Sequence, residues 1–532
     1  MDINNYDEIS LQDYIFCSSP TRRELVEYVS NVNKKYYIQV FRNHSFELVE
    51  HTISAYLDYS QLGISFIYSG YDDSFSFAEI NEEADAYIIW IDEHRYKIPD
   101  IEDFIISRTN ELRSKTTKPI IVITIGTRIP GCDKTILFWN LDDIKEIVKD
   151  KFIDERTHQL TGTRLSSKSL MEISKKLGLY WLPNILGDRI KAIVLDLDNT
   201  LYSGVLGEDG SEGIILDEGH KRLQALLREL GDRGIFICIA SKNEEEDVIE
   251  MFKKRSDFPL KLDDFTKICA SWDSKAKSIK NIVDYLNIGI DSVLFIDDNP
   301  GELQNVKMIH PDVHLIHAKE DANITCLVIE NYPGLYNENE VINRRDDVKA
   351  NEIRFKMKAT SISREDYIKN LEISLSFGIN NIDDAERVTE LSNKTNQFIF
   401  SYKRYNLSDV IDRIKSDKWC VVTVSMKDRL SDSGLIACCI GRKHTDNYVE
   451  LEECFMSCRA LGRDIEDVII GRAIKCILNT FNSELLKVVI TEGERNAPAR
   501  KYVNEYLKKY IDEPCKYSDT LDEQGIEILI RG

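Results

Sequence analysis

The sequence has no excess of basic charge, no paired cysteine spacing and no apolar run long enough to cross a membrane, and each absence removes a class of function. Its 532 residues carry 69 Lys and Arg against 91 Asp and Glu, a formal net charge of −22. That balance disfavours nonspecific binding to nucleic acid and to anionic membranes, both of which select a positive field. The twelve cysteines are scattered, with Cys438-Cys439 the only adjacent pair. Such spacing predicts reduced thiols rather than a disulfide framework or a zinc site. The amino terminus, Met1-Asp-Ile-Asn-Asn-Tyr-Asp-Glu8, lacks the basic start and apolar stretch of a signal peptide, so a cytoplasmic protein without membrane partners is expected. Histidine is scarce, at nine residues. Asn43-His44-Ser45, Asp92-Glu93-His94 and Thr157-His158 are loop candidates that assemble no convincing Ser-His-acid triad.

The richest stretch runs from Lys191 to Gly210. Ala192 to Leu195 are apolar and suit a central parallel strand, which leads directly into Asp196-Leu-Asp198. Alternation points both carboxylates to one side of the strand end, where open α/β sheets place their ligands. One carboxylate can attack phosphorus while the other moves the proton. Three further apolar runs end in complementary chemistry. Gly234 to Ala240 ends in Ser241-Lys242-Asn243, whose hydroxyl can hold a phosphoryl oxygen. Ser271-Trp-Asp-Ser-Lys275 offers a cation beside a helix start. Ser292 to Ile296 ends in Asp297-Asp298, an acidic pair suited to a hard cation such as Mg²⁺. Asp and Ser are ordinary loop and cap residues taken singly; the order of the four pieces is what points to phosphoryl transfer.

These motifs resemble those of the haloacid-dehalogenase (HAD) superfamily and, within it, the FkbH-like (IIIC) proteins. The resemblance rests on Asp196-Leu-Asp-Asn-Thr-Leu through Gly204-Val-Leu-Gly-Glu-Asp-Gly210, Ser241-Lys-Asn243, Trp272 to Lys275, and Phe295-Ile-Asp-Asp-Asn-Pro300. It implies Asp196 as a nucleophile forming an aspartyl-phosphate and Asp198 as general acid/base. It further implies phosphate binding by Ser241, Lys242, Asn243 and Lys275. The Mg²⁺ ligands would come from Asp196, Asp198, Asp297 and Asp298, leaving open which of the last two touches the metal.

A chain of this length exceeds a single core, and two to three domains are expected; the resemblance implies three, in an α/β protein. Residues 1–185 carry the strand-like runs Tyr36–Phe41, Ile64–Tyr68, Ala86–Ile91 and Ile120–Ile125, separated by helix-capable stretches, as in a doubly wound α/β domain. By resemblance this segment is SGNH-hydrolase-like. Residues 186–335 hold the HAD-like core, which is capless because only about forty residues separate the first motif from Ser241. Pro333-Gly334 and the polar Tyr336 to Glu340 mark a linker.

Residues 345–532 begin with a charged helical pattern, Asp346 to Lys358, and continue with the alternating runs Trp419–Ser425 and Gly434–Ile440. They resemble the GNAT-like acyltransferase half of FkbH-like proteins through Lys394 to Phe398, Lys427 to Leu435, Ser457 to Arg463 and Asn496 to Arg500. Between a strand-like Tyr448–Phe455 and a helix-like Ile465–Leu478, the turn Arg459-Ala-Leu-Gly462-Arg463 can cradle the phosphate of CoA or of a phosphopantetheine arm. Cys458 adjoins that turn, where a helix start and a guanidinium favour the thiolate. A small buried hydrophobe is the competing reading of this cysteine.

The family resemblance implies a bifunctional glyceryl transferase and phosphatase. Such an enzyme takes 1,3-bisphosphoglycerate, removes phosphate and loads a glyceryl thioester on an acyl carrier protein for a polyketide or related pathway. Many family members carry Cys directly before Ser-Lys-Asn, whereas this chain has Ala240 there and Cys238 two residues earlier. The alternative is a Mg²⁺-dependent phosphatase or acyltransferase acting on a sugar or another carrier-bound substrate. A third reading, a scaffold that docks a carrier protein, sits poorly with the intact acidic motifs.

Overall fold

The structure is a computed structural model that describes all residues except 1–7, 34, 71–73, 127–135, 157, 336–352, 355–356, 358–360, 362, 396, 446–447, 458–459, 462, 494–495, 519–522 and 532. The chain divides into two compact units, Met1–Ile282 with Ile290–Val341, and Val283–Gly289 with Ile342–Gly532.

The first unit contains two five-stranded parallel sheets. One is built from β1 (Tyr36–Arg42), β2 (Ile64–Tyr68), β3 (Ala86–Ile91), β4 (Ile120–Thr124) and β5 (Ile136–Trp139) in the order β2-β1-β3-β4-β5. β3 and β4 are buried throughout, as unbroken apolar runs in the middle of a parallel sheet require. The helices Glu47–Tyr59 and Ile101–Lys115 fall on the helix-capable stretches. β5 is an addition to the four strands legible in the sequence: four residues are too few to show a period of their own.

The other sheet contains β6 (Ala192–Leu195), β7 (Phe236–Ser241), β8 (Lys267–Ala270), β9 (Val293–Asp297) and β10 (His314–His317) in the order β10-β9-β6-β7-β8. Between β6 and β7 lie the short helix Leu206–Gly213 and the helix Glu218–Asp232. Glu245, Glu246 and Asp247 occupy the first turn of the helix Glu245–Lys254, where negative charge meets the positive end of the helix dipole. One apolar core joins residues from both segments of the unit: Leu11, Phe16, Tyr56 and Tyr59 pack with Leu195, Ile316, Tyr332 and Leu335.

The second unit is built on a mixed sheet of β11 (Ser374–Ile379), β12 (Trp419–Lys427), β13 (Asp432–Lys443), β14 (Val449–Met456), β15 (Leu485–Val488), β16 (Cys515–Lys516) and β17 (Glu527–Arg531), ordered β16-β15-β14-β13-β12-β11-β17. β14 and β15 run parallel, joined through the helix Glu466–Thr480. Four carboxylate–donor contacts pin the segment after the helix Ala385–Lys394 to this sheet: buried Glu453 accepts from the N–H groups of Phe400, Ser401 and Lys403 and from the Ser401 hydroxyl, and it also accepts from the N–H of its strand neighbour Cys454. The linker residues 336–340 and most of the helical pattern from Asp346 to Lys358 lie outside the described residues.

Candidate active site

In the second parallel sheet the chain direction reverses its sideways progress between β6 and β9. The crevice outside the strand carboxyl ends at such a switch point is where open α/β sheets bind ligands. Asp196 emerges there from the fully buried β6, and its N–H donates to the Ile296 carbonyl at 2.9 Å, which ties it to β9. Asp297 ends β9 and is completely buried. Lys275 opens its helix, is also buried, and places its ammonium 2.8 Å from Asp196 Oδ2 and 2.5 Å from Asp297 Oδ2. Residues far apart in sequence are thus gathered by two strand ends and one helix start.

Asp196, Asp297 and Asp298 bring their carboxylate oxygens within 4.8 Å of one another. Burial raises the carboxyl pKa of all three, and the charge of Asp196 adds to the rise at Asp297 and Asp298. At Asp196, Lys275, the Leu197 N–H and the Ser241 side chain act in the opposite direction. For Lys275 burial disfavours the charge, but Asp196 and Asp297 outweigh it and raise the ammonium pKa. Three clustered carboxylates against one ammonium form a hard, oxygen-only donor set with uncompensated negative charge, which fits Mg²⁺.

The carboxylate of Asp198 stands outside that cluster. Its Oδ1 accepts from the Tyr202 hydroxyl at 2.8 Å and the Leu206 N–H at 2.9 Å, and its Oδ2 from Asn243 Nδ2 at 3.0 Å. Asn243 Nδ2 also donates to Ser241 Oγ at 3.0 Å, so the motif after β7 grips the turn after β6. That turn requires a left-handed residue at Asn199, with φ of 53°, and its side chain accepts from the Gly204 N–H at 3.0 Å. Lys242 is exposed and paired with Glu302 at 2.5 Å. A cavity of about 460 Å³ opens beside Asp298, lined by Asn199, Ser203, His220, His317 and Lys319. Of these, His220, His317 and Lys319 carried no motif in the sequence; their only signal is position, at a helix start and after a strand end.

The structure brings Asp196, Asp198, Ser241, Asn243, Lys275, Asp297 and Asp298 together in the first unit. Cys238 lies inside β7 with no exposed surface, and burial pushes its thiol pKa up. In the second unit, Cys458, Arg459 and Gly462 lie outside the described residues. Arg463 is buried, with Nη1 3.0 Å from Asp428 Oδ2 and Nη2 3.2 Å from Ser433 Oγ. Arg354 binds the same carboxylate through two nitrogens at 2.8 and 3.0 Å. Burial acts to raise the carboxyl pKa of Asp428, and Arg354 and Arg463 together bring it below its ordinary value.

No protein-family model and no curated protein matches the chain. Among solved structures it is similar to the N-terminal part of a Bacteroides fragilis protein containing a phosphatase domain, complexed with Mg: 21% identity, 63% of this chain and 100% of that one covered, TM-score 0.46. It is also similar to 3-deoxy-D-manno-octulosonate 8-phosphate phosphatase from Moraxella catarrhalis, in complex with magnesium ion, phosphate ion and its KDO molecule. That match has 15% identity, covers 30% of this chain and 94% of the other, and has a TM-score of 0.20. No helix among the described residues is long and apolar enough to cross a membrane.

Proposed function

We propose that the chain is a Mg²⁺-dependent phosphatase of the haloacid-dehalogenase type, acting through an aspartyl-phosphate on Asp196. The observation that carries this reading is the buried Asp196–Lys275–Asp297 cluster at the switch point of a parallel sheet, with Asp298 completing a three-carboxylate group. An Asp196 oxygen forms a bond to phosphorus as the bond from phosphorus to the substrate's alcohol oxygen breaks. Asp198 supplies the proton to the leaving oxygen and takes one from the water that then hydrolyses the aspartyl-phosphate. For Asp198 to carry that proton, the contact from Asn243 to Oδ2 must give way, and Ser241 Oγ offers Asn243 a second acceptor. Lys275 and Ser241 hold phosphoryl oxygens in line. Mg²⁺, held by Asp196, Asp297 and Asp298, would neutralise the charge of those oxygens. Asp196→Asn should abolish phosphate release from a small phosphomonoester with unchanged circular dichroism; undiminished turnover would overturn the assignment.

The reading extends to the second unit as a glyceryl transferase that draws on 1,3-bisphosphoglycerate and loads an acyl carrier protein. Its support is the motif resemblance together with the parallel β14 and β15, joined through the helix Glu466–Thr480, which residues 459–463 precede in the sequence. Arg463 is committed to Asp428 and Ser433 rather than offering a free charge to a phosphate. Buried Cys238 does not support an acyl-enzyme at β7; Cys458 is the thiol to test. Incubation with 1,3-bisphosphoglycerate, followed by peptide mass mapping, should place any glyceryl adduct on Cys458. An adduct on Cys238, or one that persists in Cys458→Ser, would overturn that choice.

A further inference from the structure

Strand β10 is an edge of the second parallel sheet, and a short helix near the amino terminus takes the place of its missing neighbour. Within the helix Glu8–Gln12, Glu8 Oε1 accepts from the Leu315 N–H at 3.0 Å. The Gln12 amide accepts from the His317 N–H at 3.0 Å and donates to the His317 carbonyl at 2.8 Å. Residues four apart on a helix are about 6 Å apart along its axis, and alternate residues on a strand about 6.6 Å. Two side chains on one helix face therefore meet two successive outward N–H groups of the strand. Glu8 also accepts from the Tyr332 hydroxyl at 2.8 Å, and Gln12 is fully buried. An edge whose N–H groups are met by side chains cannot recruit another strand.

From this brace a chain of polar contacts runs to the three-carboxylate cluster. Asp13 Oδ1 lies 2.6 Å from Lys319 Nζ. Lys319 Nζ lies 2.8 Å from His317 Nδ1, and His317 Nε2 lies 3.0 Å from the Asp298 carbonyl oxygen. An ammonium can only donate, so His317 Nδ1 is the acceptor and its ring proton sits on Nε2, where it donates to Asp298. The chain has one direction, from an amino-terminal carboxylate to the backbone of a carboxylate-bearing loop. His317 and Lys319 also form part of the cavity wall beside Asp298.

We infer that Asp13, Lys319 and His317 are positioning residues for Asp298, and that the amino-terminal helix is a working part of the phosphatase site. The inference rests on the proposed Mg²⁺ site. Groups that orient a ligand's backbone without touching the metal set how well that ligand is presented; their loss weakens metal binding more than it slows the saturated reaction.

The test uses the full-length protein and two readouts: calorimetric Mg²⁺ affinity, and the Mg²⁺ dependence of para-nitrophenyl phosphate hydrolysis. In Lys319→Met the Mg²⁺ dissociation constant should rise about tenfold. It should rise less in Asp13→Asn, and no further in the double variant than in Lys319→Met, because the two act in series. Lys319→Arg, which keeps a cationic donor, should stay closer to wild type. The rate constant at saturating Mg²⁺ should fall by a smaller factor than the affinity. Wild-type Mg²⁺ affinity in both single variants would overturn the inference. So would additive effects in the double variant, or a rise in KM for the phosphomonoester with unaltered Mg²⁺ affinity, which would make Lys319 a substrate contact. Should Lys319→Met fail to fold, Asp13→Asn carries the test, since that carboxylate is half exposed and its removal leaves the core intact. Asp196→Asn separates the two claims: if it hydrolyses substrate normally the phosphatase reading falls, while the calorimetric series still decides whether Asp13 and Lys319 act on the cation site.

Discussion

Removing the ammonium from the buried cluster should expose how much negative charge it holds in place. Lys275→Met keeps most of the side-chain volume and leaves Asp196 and Asp297, both almost completely buried, without the cation that lies between them. Breaking a buried ion pair by deleting one partner costs roughly 3–5 kcal/mol. Part of that cost is relieved by protonation. Asp297, raised by burial and by Asp196 to about 7 with the ammonium present, moves higher without it. A carboxyl whose pKa is higher folded than unfolded holds its proton more tightly in the folded state. Its stability contribution therefore falls as pH rises from the unfolded value through the folded one. Above neutrality the metal-free variant should lose the full amount, and on the acid side less, at about 1.4 kcal/mol per pH unit for one proton. Urea unfolding in EDTA at about pH 6 and pH 8 reads this directly, and added Mg²⁺ should recover more stability in the variant than in wild type. A metal-free variant as stable as wild type at both pH values, or one that Mg²⁺ leaves unmoved, would refute the electrostatic account of the site.

Asp198→Asn should slow turnover of an alkyl phosphomonoester by about 10²–10⁴-fold; with para-nitrophenyl phosphate, whose leaving group departs unprotonated, it should let phosphoenzyme accumulate, measured by acid quench, because the proton carrier for hydrolysis is gone. Buried His44, whose pKa is lowered by burial to about 3 and whose Nδ1 contacts Thr163 Oγ1, should make the first unit acid-sensitive. The unfolded chain takes up that proton first, so stability falls below the ordinary His value of 6.5, by about 2 kcal/mol near pH 5; His44→Phe should flatten the slope in pH-dependent urea melts. Glu453→Gln should destabilise the second unit by about 2–3 kcal/mol in urea, because an amide nitrogen then faces backbone N–H groups that a carboxylate satisfied.

Strands that are buried on both faces announce themselves, and so do helices with a clear stripe. Ala86–Ile91, Ile120–Thr124 and Ala192–Leu195 are continuous apolar runs in sequence and buried strands in the fold. The site residues were legible because chemistry in a parallel sheet collects at strand ends: Asp196, Ser241 and Asp297 each follow or close such a run. Pairings across the chain were not legible. Nothing local in Glu8, Gln12 or Asp13 foretells that they brace Leu315, His317 and Lys319 in turn, and a helix of five residues has too little period to signal which face it buries. Tyr202 reads as an ordinary aromatic, yet its hydroxyl fixes Asp198, because the turn between them is set by Asn199 and Gly204 rather than by hydrophobic pattern. Arg463 reads as a free cation at a turn and is instead committed to Asp428, a partner supplied by another strand connection.

The measurement that tests the central claim most directly is the site of covalent phosphate. The protein is mixed with ³²P-labelled para-nitrophenyl phosphate, whose leaving group needs no proton, and Mg²⁺, quenched in acid within the first turnover, and digested for peptide mapping. A hydroxylamine-labile phosphoryl group on Asp196, absent from Asp196→Asn and enriched in Asp198→Asn, is the predicted result. Steady phosphate release with no label on Asp196 at any quench time would contradict the account.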